Sequence, residues 1–333
     1  MTPKSFRAAT AATASMLLLG LTACASSSGT ASPDSTTEAE TASNYPLTID
    51  NCGYEVTFDQ APERVITIKS STTELLLALG LEDSIIGASF LDGEVPEKWL
   101  PDASALTIIS DKVPGQEATL ELEPDLVFGG WESNFSAEGV GERDQLESLL
   151  VNSYVAPSAC KDPAYMPDPL TFEVLFDEIA EAGAIFDVPE AADALIAEQQ
   201  AALDAVEPST EGYTALWYSS GSDVPYVGAG KGSPQMIMDA AGLENIAGDV
   251  ADTWTSMGWE AIVDADPNVI VLIDAEWNSA EDKIERLESN PATATLDAVT
   301  NERYVIVPFA SGEAGVRNVE AVASIVDQLN QLG

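Results

Sequence analysis

The chain has 333 residues, with 13 Lys and Arg against 56 Asp and Glu, and no His. A net charge of −43 excludes nucleic acid as a partner, because phosphate backbones demand clustered Lys and Arg. Without His a Ser-His-Asp triad is impossible, and zinc-type sites lose their commonest nitrogen ligand.

Lys4 and Arg7 give a positive head, followed by an apolar stretch around Ser15–Leu21 that is too short to span a membrane as a stop-transfer helix. Leu21-Thr22-Ala23-Cys24 then matches the bacterial lipobox, which predicts cleavage before Cys24 and acylation of its thiol and new amine. An ordinary signal peptide with a chance Cys is the alternative. Removing residues 1–23 leaves 11 cations against 56 anions, a net charge of −45. Residues 25–44 are rich in Ser, Thr, Ala and acids and hold no aromatic side chain, so they cannot bury enough surface to fold. Residues 24–45 therefore read as a disordered tether from lipidated Cys24. The expected place is extracytoplasmic, anchored to the outer face of the cytoplasmic membrane. With Cys24 acylated, Cys52 and Cys160 remain, and in an exported protein such a pair is expected to be a disulfide, free buried thiols being the alternative.

From Tyr45 onward short apolar runs alternate with helical periods. Strands are predicted over 65–68, 85–87, 106–109, 126–129, 214–218, 269–273 and 305–307, and helices over 72–79, 141–150, 170–184, 189–206, 234–241, 281–287 and 316–332. Such alternation predicts an α/β fold with mainly parallel sheets.

The chain repeats itself. Glu117-Ala-Thr-Leu-Glu-Leu-Glu-Pro124 resembles Glu260-Ala-Ile-Val-Asp-Ala-Asp-Pro267, each ahead of an apolar strand, and Ala78-Leu-Gly80-Leu resembles Ala240-Ala-Gly242-Leu. Two sister Rossmann-like lobes are expected, over 46–187 and 208–333, joined by one long interlobe helix over 188–207. Pro189 suits a first helical turn, and the Ala, Leu, Glu and Gln that follow are good helix formers. A single helical connector predicts small lobe closure.

Together the lipobox, Pro62-Glu-Arg64-Val-Ile-Thr-Ile, Ser71-Thr-Thr-Glu74-Leu-Leu-Leu-Ala-Leu-Gly80 and Glu123-Pro124-Asp125-Leu-Val127 resemble the helical-backbone (class III) substrate-binding proteins of ABC importers, the class that serves iron–siderophores and cobalamin. The resemblance covers nearly all of 46–333. It implies a monomer that delivers a small molecule to a permease dimer with its ATPase, without enzymatic activity or cofactor. It also implies that one Glu on each lobe docks on permease arginines; Glu117 and Glu260 match by motif. Each is expected in the first turn of a short helix, where the dipole tolerates an anion, and Glu is common there for that reason alone. Segments such as Ile68-Lys-Ser-Ser-Thr-Thr-Glu74, Leu216-Trp-Tyr-Ser-Ser-Gly221 and Ala314-Gly-Val-Arg-Asn318 resemble a sub-branch associated with import of a deazaflavin coenzyme precursor (F-four-twenty type).

In paired α/β lobes the ligand lies beyond the carboxyl ends of the strands. That rule selects Lys69, Ser70 and Ser71; Trp131, Glu132 and Asn134; Trp217, Tyr218, Ser219 and Ser220; Trp277 and Asn278; and Phe309, Ser311 and Glu313, with Trp254 nearby. Tryptophans at strand exits suit a flat conjugated ligand such as a corrin, a catecholate chelate or a deazaflavin, sealing of lobe interiors being the alternative. Gly228-Ala-Gly230-Lys231-Gly232-Ser233-Pro234 lacks Walker A spacing, yet such a turn with Lys231 could hold an anion. Lys69 and Arg317 are further cations at element ends, and a plain turn with solvated cations is the other reading. A cell-envelope adhesion or structural lipoprotein is the competing function. Calcium sites of EF-hand spacing are absent, and no metal site is expected.

Overall fold

The computed structural model describes residues 45–332; the expected signal peptide, Cys24 and the tether up to Asn44 lie outside the described residues. The strands are β1 Leu47–Asn51, β2 Tyr54–Phe58, β3 Val65–Ile68, β4 Ile85–Ser89, β5 Ile108–Ser110, β6 Leu126–Gly129, β7 Asn152–Val155, β8 Thr214–Ser220, β9 Tyr226–Gly228, β10 Glu244–Asn245, β11 Trp254–Ser256, β12 Val269–Asp274 and β13 Tyr304–Pro308. The helices are α1 Ser70–Ala78, α2 Leu100–Ala103, α3 Gln116–Leu120, α4 Arg143–Ser148, α5 Phe172–Ile185, α6 Pro189–Asp204, α7 Ser233–Ala241, α8 Trp259–Ala265, α9 Ala280–Ser289, α10 Asp297–Thr300, α11 Phe309–Gly312 and α12 Asn318–Leu332.

The first half carries a parallel sheet of order β5-β4-β3-β6-β7. In the second half β8, β12 and β13 are parallel, β10 pairs with the start of β8, and antiparallel β9 and β11 extend its far end. These strands are apolar runs because both faces are covered. Along β3, Val65 joins one cluster of the core while Ile66 and Ile68 join another; along β12, Val269, Val271 and Ile273 oppose Ile270 and Leu272 in the same way.

The repeated stretches fall at equivalent places. Glu117 lies in the first turn of α3 ahead of β6, and Glu260 in the first turn of α8 ahead of β12; both are exposed. Gly80 and Gly242 follow α1 and α7 with φ of +73° and +77°. In both, the next residue closes a Schellman turn, Leu81 N–H to Leu76 O and Leu243 N–H to Met238 O, each 2.9 Å. The left-handed residue that ends each helix is a glycine because a Cβ there is strained.

The connection between the halves is a helical hairpin. Leu170 donates its N–H to Lys231 O at 2.9 Å in the second half, and Leu170 and Leu175 pack in that half's core. Further along α5, Ile179, Ala182 and Ile185 reach the first half's core. The expected helix, α6, returns from Ala192 and Leu195 in that core. Gly183 lets α5 and α6 approach closely: a Cβ there would meet Ala192 Cβ at 2.4 Å. Two packed helices, rather than one, make this link.

A short antiparallel hairpin, β1 with β2, closes the first half. Asn51 staples it to β7, donating to Val155 O and accepting from Val155 N–H, each at 2.8 Å. Cys52 and Cys160 are joined as a disulfide beside this staple.

Candidate functional site

A cavity of about 390 Å³ lies between the two halves, at the carboxyl ends of their parallel strands. From the first half it is walled by Ser71 after β3, Trp131 and Ser133 after β6, and Ser158 and Lys161 after β7. From the second come Ser219 and Ser220 at the end of β8, Tyr226 of β9, Trp254 of β11, Trp277 after β12, and Phe309 and Glu313 after β13.

Aromatic side chains supply flat walls. Trp254 stacks on Tyr226 with centroids 5.8 Å apart and planes 13° apart. Trp277, 65% exposed at the rim, meets Phe309 edge-on at 5.7 Å. Trp131 crosses the cleft, its indole N–H donating to Glu313 Oε2 at 2.7 Å. Burial, with Asp92 nearby, pushes the Glu313 carboxyl up, and Lys69, the Trp131 donor and Lys161 partly oppose that shift.

Of the tryptophans expected at the cleft, Trp131, Trp254 and Trp277 line it, with Ser71. Trp217 and Tyr218 do not. Strand β8 runs to Ser220, two residues beyond the predicted end, so both are fully buried mid-strand on opposite faces of the sheet. Trp217 Nε1 is buried without a hydrogen-bond partner. Lys69 and Ser70 sit behind the wall: Lys69 pairs with Asp92, and the Ser70 hydroxyl accepts from Asp92 N–H at 2.8 Å. The Lys69 ammonium lies 3.7 Å from the Trp131 ring centroid and 4.5 Å from that of Phe90, so it props the indole from behind by cation–π attraction. Asn134 is buried and accepts from Trp131 N–H through Oδ1 at 2.9 Å, which fixes the turn carrying the indole.

Lys231 and Arg317 are also spoken for. Lys231 pairs with Asp168 at 2.8 Å, and Arg317 forms a two-pronged pair with Glu74 of α1. The glycines around Lys231 serve packing rather than phosphate: a Cβ on Gly230 would meet Gly248 O at 2.0 Å, and one on Gly228 would meet Pro234 Cβ at 2.3 Å.

Lys161, Ser158, Tyr226 and Thr253 line the cavity without having been expected. The signal for two of them was available. Ser158 and Lys161 follow β7, so recognising Asn152–Val155 as a strand would have exposed them by the strand-exit rule.

Ser158 is held by Glu178 of α5, whose Oε2 accepts its backbone N–H at 3.1 Å. Burial, with a contribution from neighbouring Glu181, pushes the Glu178 carboxyl from 4.5 up to about 7. The folded protein therefore holds this proton more tightly than the unfolded chain. The associated stability is fully present below about pH 4.5 and is lost as pH rises towards 7, by about 3 kcal/mol at roughly 1.4 kcal/mol per unit. Glu178→Gln keeps an acceptor for Ser158 and removes the titration. Urea denaturation should find it as stable as wild type at pH 4.5 and more stable by about 3 kcal/mol at pH 8; an identical pH profile for both proteins would contradict this assignment.

Two facing α/β halves, linked by a helical hairpin and enclosing an aromatic cavity at their strand ends, give a bilobed protein of class III architecture. The chain belongs to the periplasmic binding protein family, whose model matches residues 65–310. It is 28% identical over 261 residues to a cobalamin-binding protein of Halobacterium salinarum, a match covering 77% of this chain and 66%, just under two thirds, of that protein. It is 22% identical over 293 residues to the uncharacterized ABC transporter substrate-binding lipoprotein YvrC of Bacillus subtilis, covering 86% of each. Among solved structures, a periplasmic binding protein from Veillonella parvula superposes with a TM-score of 0.76 at 24% identity, over 86% of this chain and 97% of that one. An ABC-type Fe3+-hydroxamate transport protein from Saccharomonospora viridis gives 0.72 at 24%, over 86% and 99%. These two likenesses concern the fold. Among the described residues no helix is long and apolar enough to cross a membrane.

Proposed function

We propose that this protein is the extracytoplasmic solute-binding subunit of an ABC importer, tethered through lipidated Cys24 and acting as a monomer. It captures a flat, conjugated small molecule and hands it unchanged to a permease dimer driven by its ATPase. The observation that carries this reading is the cavity itself, with Trp131 on one side and Trp254, Trp277 and Phe309 on the other. Corrins, iron–siderophore chelates and deazaflavin precursors all offer such a face, and a corrin gains support from the Halobacterium relative's name.

Glu117 and Glu260 are the docking carboxylates in this reading. Both are exposed, both stand in the first turn of a short helix, and each helix leads into the strand beside the central one of its sheet. Two carboxylates so related can meet two symmetry-related arginines, each charge-assisted bond being worth about 1.5–3 kcal/mol. With cyanocobalamin as the probe, Glu117→Ala/Glu260→Ala should lower importer-dependent uptake by roughly tenfold or more. Quenching of tryptophan fluorescence by cyanocobalamin should stay as in wild type. Uptake undiminished by the double substitution would remove the docking role.

A further inference from the structure

The cations that sequence position nominated for the cleft, Lys69, Lys231 and Arg317, are each neutralised by a carboxylate: Asp92, Asp168 and Glu74. Lys161 is different. It lies on the cavity wall, its side chain is exposed, and among the described residues its ammonium has neither an ion-pair partner nor a hydrogen-bond acceptor. It also lines an adjoining hollow of about 570 Å³, so it stands where the two spaces meet.

The backbone beneath Lys161 is held at three points. The preceding residue, Cys160, is tied to Cys52. The Lys161 N–H donates to Glu132 Oε2 at 2.5 Å, and Ser158 N–H is held by Glu178. An ammonium on a flexible stem loses rotamer entropy when it grips a ligand, and a pinned backbone limits that loss to the side chain itself. The same wall carries Ser133 and the Trp131 indole, while the Ser158 side chain is engaged with Glu178. The carboxylate across the cleft, Glu313, already accepts from Trp131. A cation with no ion-pair or hydrogen-bond partner among the described residues, whose charge reaches Glu313 across the cleft, stands on the same wall as an aromatic face and is the complement of an acidic group attached to a conjugated ring.

We propose that Lys161 is the specificity-determining cation of the cleft, and that the ligand bears a carboxylate or phosphate group on a conjugated ring system. The proposal rests on the solute-binding reading and narrows its ligand. Lys161 favours the acidic form of a ring over its neutral analogue, against the repulsive field of a strongly acidic chain.

Flavins provide matched probes: riboflavin is neutral, flavin mononucleotide carries a phosphate and carboxymethylflavin a carboxylate. Titrated calorimetrically into the full chain, at least one acidic flavin should bind tenfold or more tightly than riboflavin, and which one tells phosphate from carboxylate. Lys161→Gln should reduce the acidic flavin to riboflavin's affinity and leave riboflavin unchanged, while Lys161→Arg keeps most of the preference. Equal affinity for all three flavins, no saturable binding of any of them, or a preference that survives Lys161→Gln would each overturn the proposal. Uptake of cyanocobalamin through the importer, measured in parallel, separates the two ideas. Uptake that persists without any flavin preference refutes only the role of Lys161, whereas loss of importer dependence refutes the solute-binding reading itself.

Discussion

Arg317→Met should destabilise the protein by about 3–5 kcal/mol, the size of effect seen when one member of a buried ion pair is removed. Arg317 precedes α12 in the second half, while Glu74 lies in α1 of the first, 243 positions away in sequence. Glu74 is 1% and Arg317 9% exposed, and the guanidinium also donates to Glu94 O at 2.9 Å. Burial already pushes the Glu74 carboxyl up, and Arg317 is what chiefly holds that shift in check. Without the guanidinium, Glu74 is either a lone buried anion or must take up a proton. The folded-state value then rises further, so the variant should lose stability as pH climbs above the ordinary carboxylate value, and denaturation should show a larger deficit at pH 8 than at pH 5. Glu74→Gln/Arg317→Met should recover much of the loss, because no unpaired charge remains. A deficit below about 1 kcal/mol at pH 8 would mean that the pair is solvated and not structural. The same contact bears on function. Val316, next to Arg317, inserts into the first half's core, and Gln199 of α6 donates to Val316 O at 3.2 Å. The second half is therefore locked to the first beside the cavity, consistent with a rim that moves little on ligand binding.

Much of the architecture was legible because it follows from short-range chemistry. The apolar runs at 65–68, 126–129 and 269–273 announce strands covered on both faces, and all three lie in the sheets. Gly80 and Gly242 announce the ends of matching helices. Glu117 and Glu260 could be placed at equivalent positions because a repeat relates residues without knowledge of their neighbours in space. What was not legible depends on partners distant in sequence. The strand β7 reads Asn-Ser-Tyr-Val, too short and polar to declare itself, and its omission hid Lys161. The β1–β2 hairpin is a plain alternation around Cys52-Gly53 and was detectable, but nothing local says which sheet it would close. Trp217 and Tyr218 were misplaced because β8 continues through two serines, which do not resemble a buried strand until β9 is seen pairing with Tyr218 and Ser220. Lys69, Lys231 and Arg317 drew attention as rare cations, yet only the fold shows which carboxylate each one meets.

Replacing both cysteines, Cys52→Ala/Cys160→Ala, should lower stability by about 5 kcal/mol, the loop-closure contribution expected for a bond between residues 108 apart. That is a large share of the total stability of an ordinary domain. The loss should fall unevenly. The hairpin keeps its Asn51–Val155 hydrogen bonds, and Arg143 still donates to Asn51 O at 2.7 Å, so β1 and β2 stay seated on β7. The segment after β7 leans more on the disulfide: beyond its own turns and the Ala156 N–H to Gly129 O bond, it has the bond from Ser158 to Glu178 and the bond from Lys161 to Glu132. Hydrogen exchange should therefore accelerate first around residues 156–161, the stretch that supplies Ser158 and Lys161 to the cavity, before the central strands are affected. Binding of any ligand that occupies the cavity, read by tryptophan fluorescence, should weaken in the same variant, since a wall that must be ordered on binding takes its ordering entropy from the affinity. Equal denaturation midpoints for wild type and the double variant would show that the bond constrains nothing the hydrogen bonds do not already fix. Uniform acceleration of exchange across both halves would instead assign the disulfide to global stability alone, with no particular hold on the ligand-facing segment.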